Sequence, residues 1–213
     1  MDNEIKDTAV FSPEAAQSVP LAAPEKKLSD SDVMQHTAGI WRYRTVVEDG
    51  TELHTEYHSK YARECGCEVI GARARGKKHK HEGTNCDDWF ETGAAGGCVI
   101  AVVADGAGSR PLSRIGARVA CSAAVDFLKE KLSALMESAT EIKRQLSSEI
   151  GGQEFMTACG VMAPLIRDSA RAAYDAVVKK HSALERDPVY TKALGRAPAV
   201  GDLGSTFLAA VAV

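Results

Sequence analysis

The chain has 213 residues, 45% of them hydrophobic and 26% charged, with a formal net charge of −3. That length suits one domain with a sizeable core, and the composition is globular rather than disordered. Near-neutral charge, no bilayer-length apolar run and no basic-then-apolar signal pattern argue against nucleic-acid and membrane partners and for a cytoplasmic location.

Residues 1–38 mix Pro13, Pro20 and Pro24 with Ala, Ser, Asp and Lys without a period, the pattern of a flexible tail, and residues 39–213 read as the folded domain. Short β-branched and aromatic runs predict strands over Ile40–Val47 and Cys65–Ala72, with Glu48-Asp49-Gly50 as a turn. The basic stretch Arg73–His81 reads as a solvated loop. A strand starting at Trp89–Glu91 and another over Cys98–Ala104 enclose a flexible turn, Gly93–Gly97. From Leu112 to Met136 apolar residues recur at helical spacing. After Gly151-Gly152 a second helical run covers Glu154–Leu184. Its expected inner face carries Phe155, Met162, Leu165, Ile166, Ala170, Tyr174 and Val178, and Pro164 predicts a kink or break. Pro188 and Pro198 mark a loop, and Gly204–Val213 reads as a buried strand. Strands, two long helices and a final strand make an α+β protein with helices covering a sheet. The six cysteines, without a secretion signal, read as reduced thiols, several of them in the core.

The chemistry concentrates in Val102–Ser113. The Cys98–Ala104 strand delivers Asp105 into a turn built from Gly106 and Gly108, where a carboxylate and close backbone approach suit a hard metal ion or a phosphate. As plain structure, the same residues are a strand–turn–helix connection with Asp105 as a turn residue or N-cap. The acidic pair Asp87-Asp88 shifts that balance. A strand, a glycine turn and a strand separate Asp88 from Asp105, and a hairpin of that form brings both carboxylates to one sheet end. Mg²⁺ and Mn²⁺ prefer oxygen ligands, and two such ions polarise a phosphoryl group for in-line attack. The Gly106 carbonyl is a natural extra ligand. Arg73, Arg75, Lys77, Lys78, His79, Lys80 and His81 offer cations to a substrate phosphate, although a solvated face accounts for most of them.

Three segments carry a resemblance: G-A-R-A-R-G-K-K-H from Gly71 to His79, N-C-D-D from Asn85 to Asp88, and V-A-D-G-A-G-S from Val103 to Ser109. With Ser113-x-x-Gly116-Ala117 and Gly204-Ser205-Thr206, they resemble the metal-dependent protein phosphatase 2C family (PPM-type), closest to its bacterial branch. The resemblance implies a β-sandwich flanked by helices, two Mn²⁺ or Mg²⁺ ions and a phosphoprotein substrate. Carried over by position, Asp105 bridges both metals and Gly106 ligates one through its carbonyl. Asp88 holds a metal directly or through water, and Asp87 stands where the family has Glu or Gln, with a shorter reach. Water activated by the two metals then attacks phosphoserine or phosphothreonine without a covalent phosphoenzyme. His79 falls on the branch's His, implying a proton donor or phosphate contact. The family's phosphate-binding Arg has no counterpart, because Gly83 and Thr84 stand near its place; Arg75 and Lys80 are the substitutes.

Family members carry further metal-binding aspartates after the G-S-T strand, and this sequence stops at Val213 before any of them. The expectation is therefore an N-terminal portion with an incomplete sandwich, or a degenerate phosphatase. Two other classes remain open: a non-catalytic phosphatase-like binding or regulatory module, and a zinc-binding domain using Cys65, Cys67, His79 and His81.

Overall fold

The computed structural model describes residues 41–64 and 66–213; the expected tail over 1–38 and Cys65 lie outside the described residues. Strands β1 (Tyr57–Glu64) and β2 (Cys67–Ala74) form an antiparallel hairpin from Tyr57↔Ala74 to Glu64↔Cys67. The short helix α1 (Lys77–Glu82) follows and ends at Gly83, whose φ is 77°. Strands β3 (Trp89–Ala95) and β4 (Cys98–Ala104) pair antiparallel, and β5 (Leu208–Ala212) joins the other edge of β4, giving the order β3-β4-β5. Four helices complete the described architecture: α2 (Ser113–Ser138), α3 (Thr140–Leu146), α4 (Gln153–Leu184) and α5 (Pro188–Leu194). A 3₁₀ turn (Val200–Leu203) precedes β5.

The β3–β4 hairpin turns on Gly96 and Gly97, with φ of 61° and 85°. Two consecutive left-handed residues match the twist of the strands, and glycine takes that conformation without a Cβ penalty. Only these two glycines turn; Gly93 belongs to the strand, so the expected flexible turn is much shorter than predicted. The continuous apolar run of β4 is explained by burial. Cys98, Ile100, Val102 and Ala104 join Ala117, Cys121, Ala124, Leu128 and Leu132 of α2 in one core, which α4 closes with Ala158, Met162 and Ala173. A second cluster, Leu112, Ile115, Leu184, Tyr190 and Leu203, ties the start of α2 to the region before β5. Among the described residues no helix is long and apolar enough to cross a membrane.

Several elements differ from the sequence reading. Residues 41–49 form no strand; Arg44 N and Val47 N instead donate to the carbonyls of Lys80 and Gly83, so the segment runs beside α1. The true partner of β2 is Tyr57–Glu64, whose polar composition hid it. The basic stretch is partly helical, and His79, Lys80 and His81 fall in the last turn of α1, where cations oppose the negative end of the helix dipole. Helix α4 runs through Pro164 unbroken for 32 residues. Both Pro164 and Gly160, whose carbonyl loses its partner there, are exposed to water. Its inner stripe is Ala158, Met162, Ser169 and Ala173, while Tyr174 stays 62% exposed. Pro188 opens a helix rather than a loop: Asp187 accepts from Val189 N at 2.9 Å, Pro188 occupies the first turn, and Gly195 ends it at φ 68°.

Candidate active site

The last rung of the β3–β4 ladder is Trp89↔Ala104, so the chain leaves the sheet on either side of one end at Asp88 and Asp105. Both strands are held by core burial, and the two carboxylates are therefore placed by the sheet rather than by a free loop. Asp105 is fixed from the other side by the Gly204–Thr206 segment. Asp105 N donates to Thr206 Oγ1 at 2.9 Å, and Thr206 N donates to Asp105 O at 2.8 Å. Ala107 N donates to Gly204 O at 3.0 Å, which makes Gly106 and Ser205 an isolated antiparallel bridge. The bonds of that bridge belong to the residues flanking Gly106, and they leave its own N–H and C=O unused. A Cβ on Gly106 would stand 2.4 Å from the carbonyl oxygen of Asp87, so only glycine permits this approach. Asp87, Asp88, Asp105 and Gly106 thus meet at one sheet end.

Burial raises Asp88 above the ordinary carboxylate range, and the neighbouring carboxylates of Asp105 and Asp87 raise it further. Asp87 is raised as well, chiefly by burial, against the pull of His79 and Arg114. Two facing carboxylates suit a hard divalent ion. Among the described residues no group of three or more His, Cys, Asp or Glu is placed to hold a metal ion. The pair therefore fits as part of a coordination shell that carbonyl and water oxygens complete, as Mg²⁺ commonly accepts. Of the zinc set, Cys65 lies outside the described residues, while His79 is engaged with Thr84 and His81 packs edge-on to Trp41.

A cavity of about 480 Å³ opens beside the acidic residues, lined by Asp49, Lys78, His79, Asp87, Arg110 and Arg114 among others. His79 reaches it from α1, its Nδ1 2.8 Å from Thr84 Oγ1. Arg75 and Lys80 do not line it. Arg75 is buried, donating to the carbonyls of Arg44 and His79, with Glu56 3.8 Å away. Lys80 pairs with Glu56 at 3.0 Å.

Three residues that the sequence reading passed over shape this region. Arg114, only 7% exposed, donates to Glu52 O at 2.9 Å, Pro111 O at 2.8 Å and Thr51 Oγ1 at 2.7 Å. Thr51 also donates to Asp49 Oδ1, through N at 2.9 Å and Oγ1 at 2.5 Å. His54 braces the segment before the acidic pair: its N donates to Asn85 Oδ1 at 3.0 Å and its Nδ1 lies 3.1 Å from Cys86 O. A carbonyl only accepts, so Nδ1 carries the proton. A Thr, a His and an Arg scattered over some sixty positions form no motif, and nothing in their spacing announces the site.

A family model described as protein phosphatase 2C matches residues 75–213, more than half of the chain. The chain belongs to that family. No curated protein and no solved structure matches it. The stretch shared with protein phosphatase 2C takes in the acidic pair, Asp105-Gly106, Arg114 and the Gly204–Thr206 segment. Thr51 and His54, which brace the site, precede it.

Proposed function

We propose that this chain carries phosphoryl-transfer residues of a metal-dependent serine/threonine protein phosphatase. The observation that carries the reading is the meeting of Asp88, Asp105 and Gly106 at a sheet end beside a cavity lined by Lys78, Arg110 and Arg114 as well as by Asp49, Glu82 and Asp87, within a chain of the protein phosphatase 2C family. Asp88, Asp105 and the carbonyl of Gly106 would hold divalent cations, Mn²⁺ or Mg²⁺, with Asp87 near by. Such ions, when bound, supply Lewis-acid activation of water and of a phosphoryl oxygen. The protein's own residues set the geometry: Thr206 and Gly204 fix the backbone on either side of Gly106, and β3 fixes Asp88. His79, held through Nδ1 by Thr84, presents Nε2 as a proton donor to the leaving alkoxide of phosphoserine or phosphothreonine.

The test is Mn²⁺-dependent hydrolysis of a phosphothreonine peptide by the chain and by Asp105→Asn. The expected result is activity that Asp105→Asn lowers at least about a hundredfold with an unchanged thermal midpoint. Undiminished turnover in the variant removes Asp105 from the metal site. A second reading, a non-catalytic phosphopeptide-binding module, is favoured by the incomplete ligand set among the described residues. Binding of the peptide without hydrolysis at any Mn²⁺ concentration selects it.

A further inference from the structure

We infer that Arg114 is the residue that anchors the substrate's phosphate in this chain, in place of the arginine that the sequence lacks upstream of the acidic pair. The inference rests on the phosphatase reading for its substrate, but on independent geometry for its residue. A phosphate anchor has to be cationic, open to the cavity and already fixed before the anion arrives. Of the cations near the acidic residues, only Arg114 meets all three conditions.

Arg75 and Lys80 fail on access, since both are engaged with Glu56 and neither lines the cavity. Lys78 lines the cavity but is exposed and, among the described residues, has no partner to hold it. Arg110 also lines it, yet its side chain runs along the 3₁₀ turn, with Cγ 3.7 Å from where Gly204 would carry a Cβ and Nη1 4.0 Å from the same point on Gly201. Arg114 is buried to 7% exposure, lines the cavity, and is gripped at all three nitrogens by Glu52 O, Pro111 O and Thr51 Oγ1. A guanidinium has five N–H groups. Three are used here, leaving one on each terminal nitrogen, the pair that grips two oxygens of a phosphate. The acids on the same wall do not neutralise it directly: Asp49 is tied to Thr51, and no ion pair joins Arg114 to Asp49, Glu82 or Asp87 among the described residues. The ligand is a phosphomonoester dianion, bound as a fork at Arg114 with Lys78 at the rim.

The experiment titrates the Mg²⁺-loaded chain with inorganic phosphate by calorimetry and measures KM for a phosphothreonine peptide with Mn²⁺. The proteins are wild type, Arg114→Lys, Thr51→Val and Lys80→Ala. Arg114→Lys keeps the charge and loses the fork, so phosphate affinity falls roughly tenfold or more and KM rises in step. Thr51→Val removes one of the three restraints at a residue outside the cavity lining, and a smaller weakening is expected with the fold intact. That second variant decides the matter if Arg114→Lys does not fold. Unchanged phosphate affinity in Thr51→Val and Arg114→Lys, or a loss confined to Lys80→Ala, overturns the anchor while leaving the phosphatase reading standing. Arg114-dependent phosphate binding without peptide hydrolysis upholds the anchor and overturns that reading.

Discussion

His54 shows how one buried side chain ties stability to the site. Burial, helped by the charges of Arg73, Arg118 and Arg114, pushes its pKa down to about 3. The folded protein thus keeps the ring neutral, Nδ1–H facing Cys86 O, while the unfolded chain protonates it near pH 6.5. Between those values the unfolded state binds the extra proton, so stability rises with pH up to about 6.5 and this contribution is lost on acidification. The slope for one such group approaches about 1.4 kcal/mol per pH unit below pH 6 and vanishes above pH 7. His54→Asn keeps a donor for the Cys86 carbonyl and removes the titration. Urea unfolding from pH 5 to 8 should therefore show a steeper rise for wild type than for the variant. Parallel curves would mean that the ring is hydrated in the folded state. The contrast with the acidic residues explains what the sequence made readable at this scale. Asp88 and Asp105 bracket two apolar runs and a glycine turn, so their meeting follows from strand pairing alone. His54 and Arg114 reach the site through loop contacts across 32 and 62 residues, which no local pattern encodes.

Among the elements, the placement of the Gly204–Thr206 splint depends on how closely α2 approaches the 3₁₀ turn. A Cβ on Gly116 would lie 1.9 Å from the carbonyl oxygen of Leu203, a distance no packed structure tolerates. Gly116→Ala must push the turn and helix apart, at a cost of about 1–3 kcal/mol, more than offsetting alanine's better helix propensity. Gly160 in α4 is the matching control. It is exposed and a Cβ there meets nothing within 4 Å, so Gly160→Ala should stabilise by about 0.5–1 kcal/mol. Chemical denaturation of the two variants checks the opposite signs; a stabilised Gly116→Ala would show that α2 and the turn are not in contact. The same elements mark where periodicity informs and where it misleads. The apolar run of β4 and the long repeats of α2 and α4 are visible because each faces one large core. Helix α5 and strand β1 are not: α5 hides behind its prolines although Asp187, Pro188 and Gly195 supply start and stop signals, and β1 is mostly polar. The inner face of α4 is shifted because small residues, Ala158, Ser169 and Ala173, let it lie close to α2.

For residues 41–213 as one body, Glu52 is the strap that joins the segment before β1 to the helices. Its carboxylate pairs with Arg118 of α2 and Lys180 of α4, its N donates to the Tyr190 hydroxyl of α5 at 3.2 Å, and its carbonyl accepts from Arg114 at 2.9 Å. Burial works to raise its pKa, but Lys180 and Arg118 outweigh it and hold the carboxyl below the usual range. A depressed carboxylate stabilises the fold above the unfolded pKa near 4.5, and that contribution fades as pH falls through the lower folded value. Glu52→Gln leaves two cations facing a neutral amide. The pairs are about two-thirds buried, so salt screening is incomplete and the loss should be about 1–2 kcal/mol at pH 7. Because the Glu52 carbonyl is one of the three restraints on Arg114, a strap that slackens also loosens the phosphate anchor. The variant should therefore raise KM for a phosphothreonine peptide more than it lowers kcat. A double-mutant cycle with Lys180→Met tests both consequences. Stability should show coupling between positions 52 and 180, and KM should rise in both single variants, more in Glu52→Gln, which weakens the hold of Arg118 as well as that of Lys180. A KM that stays at the wild-type value in Glu52→Gln while stability falls would deny the strap a part in positioning the site.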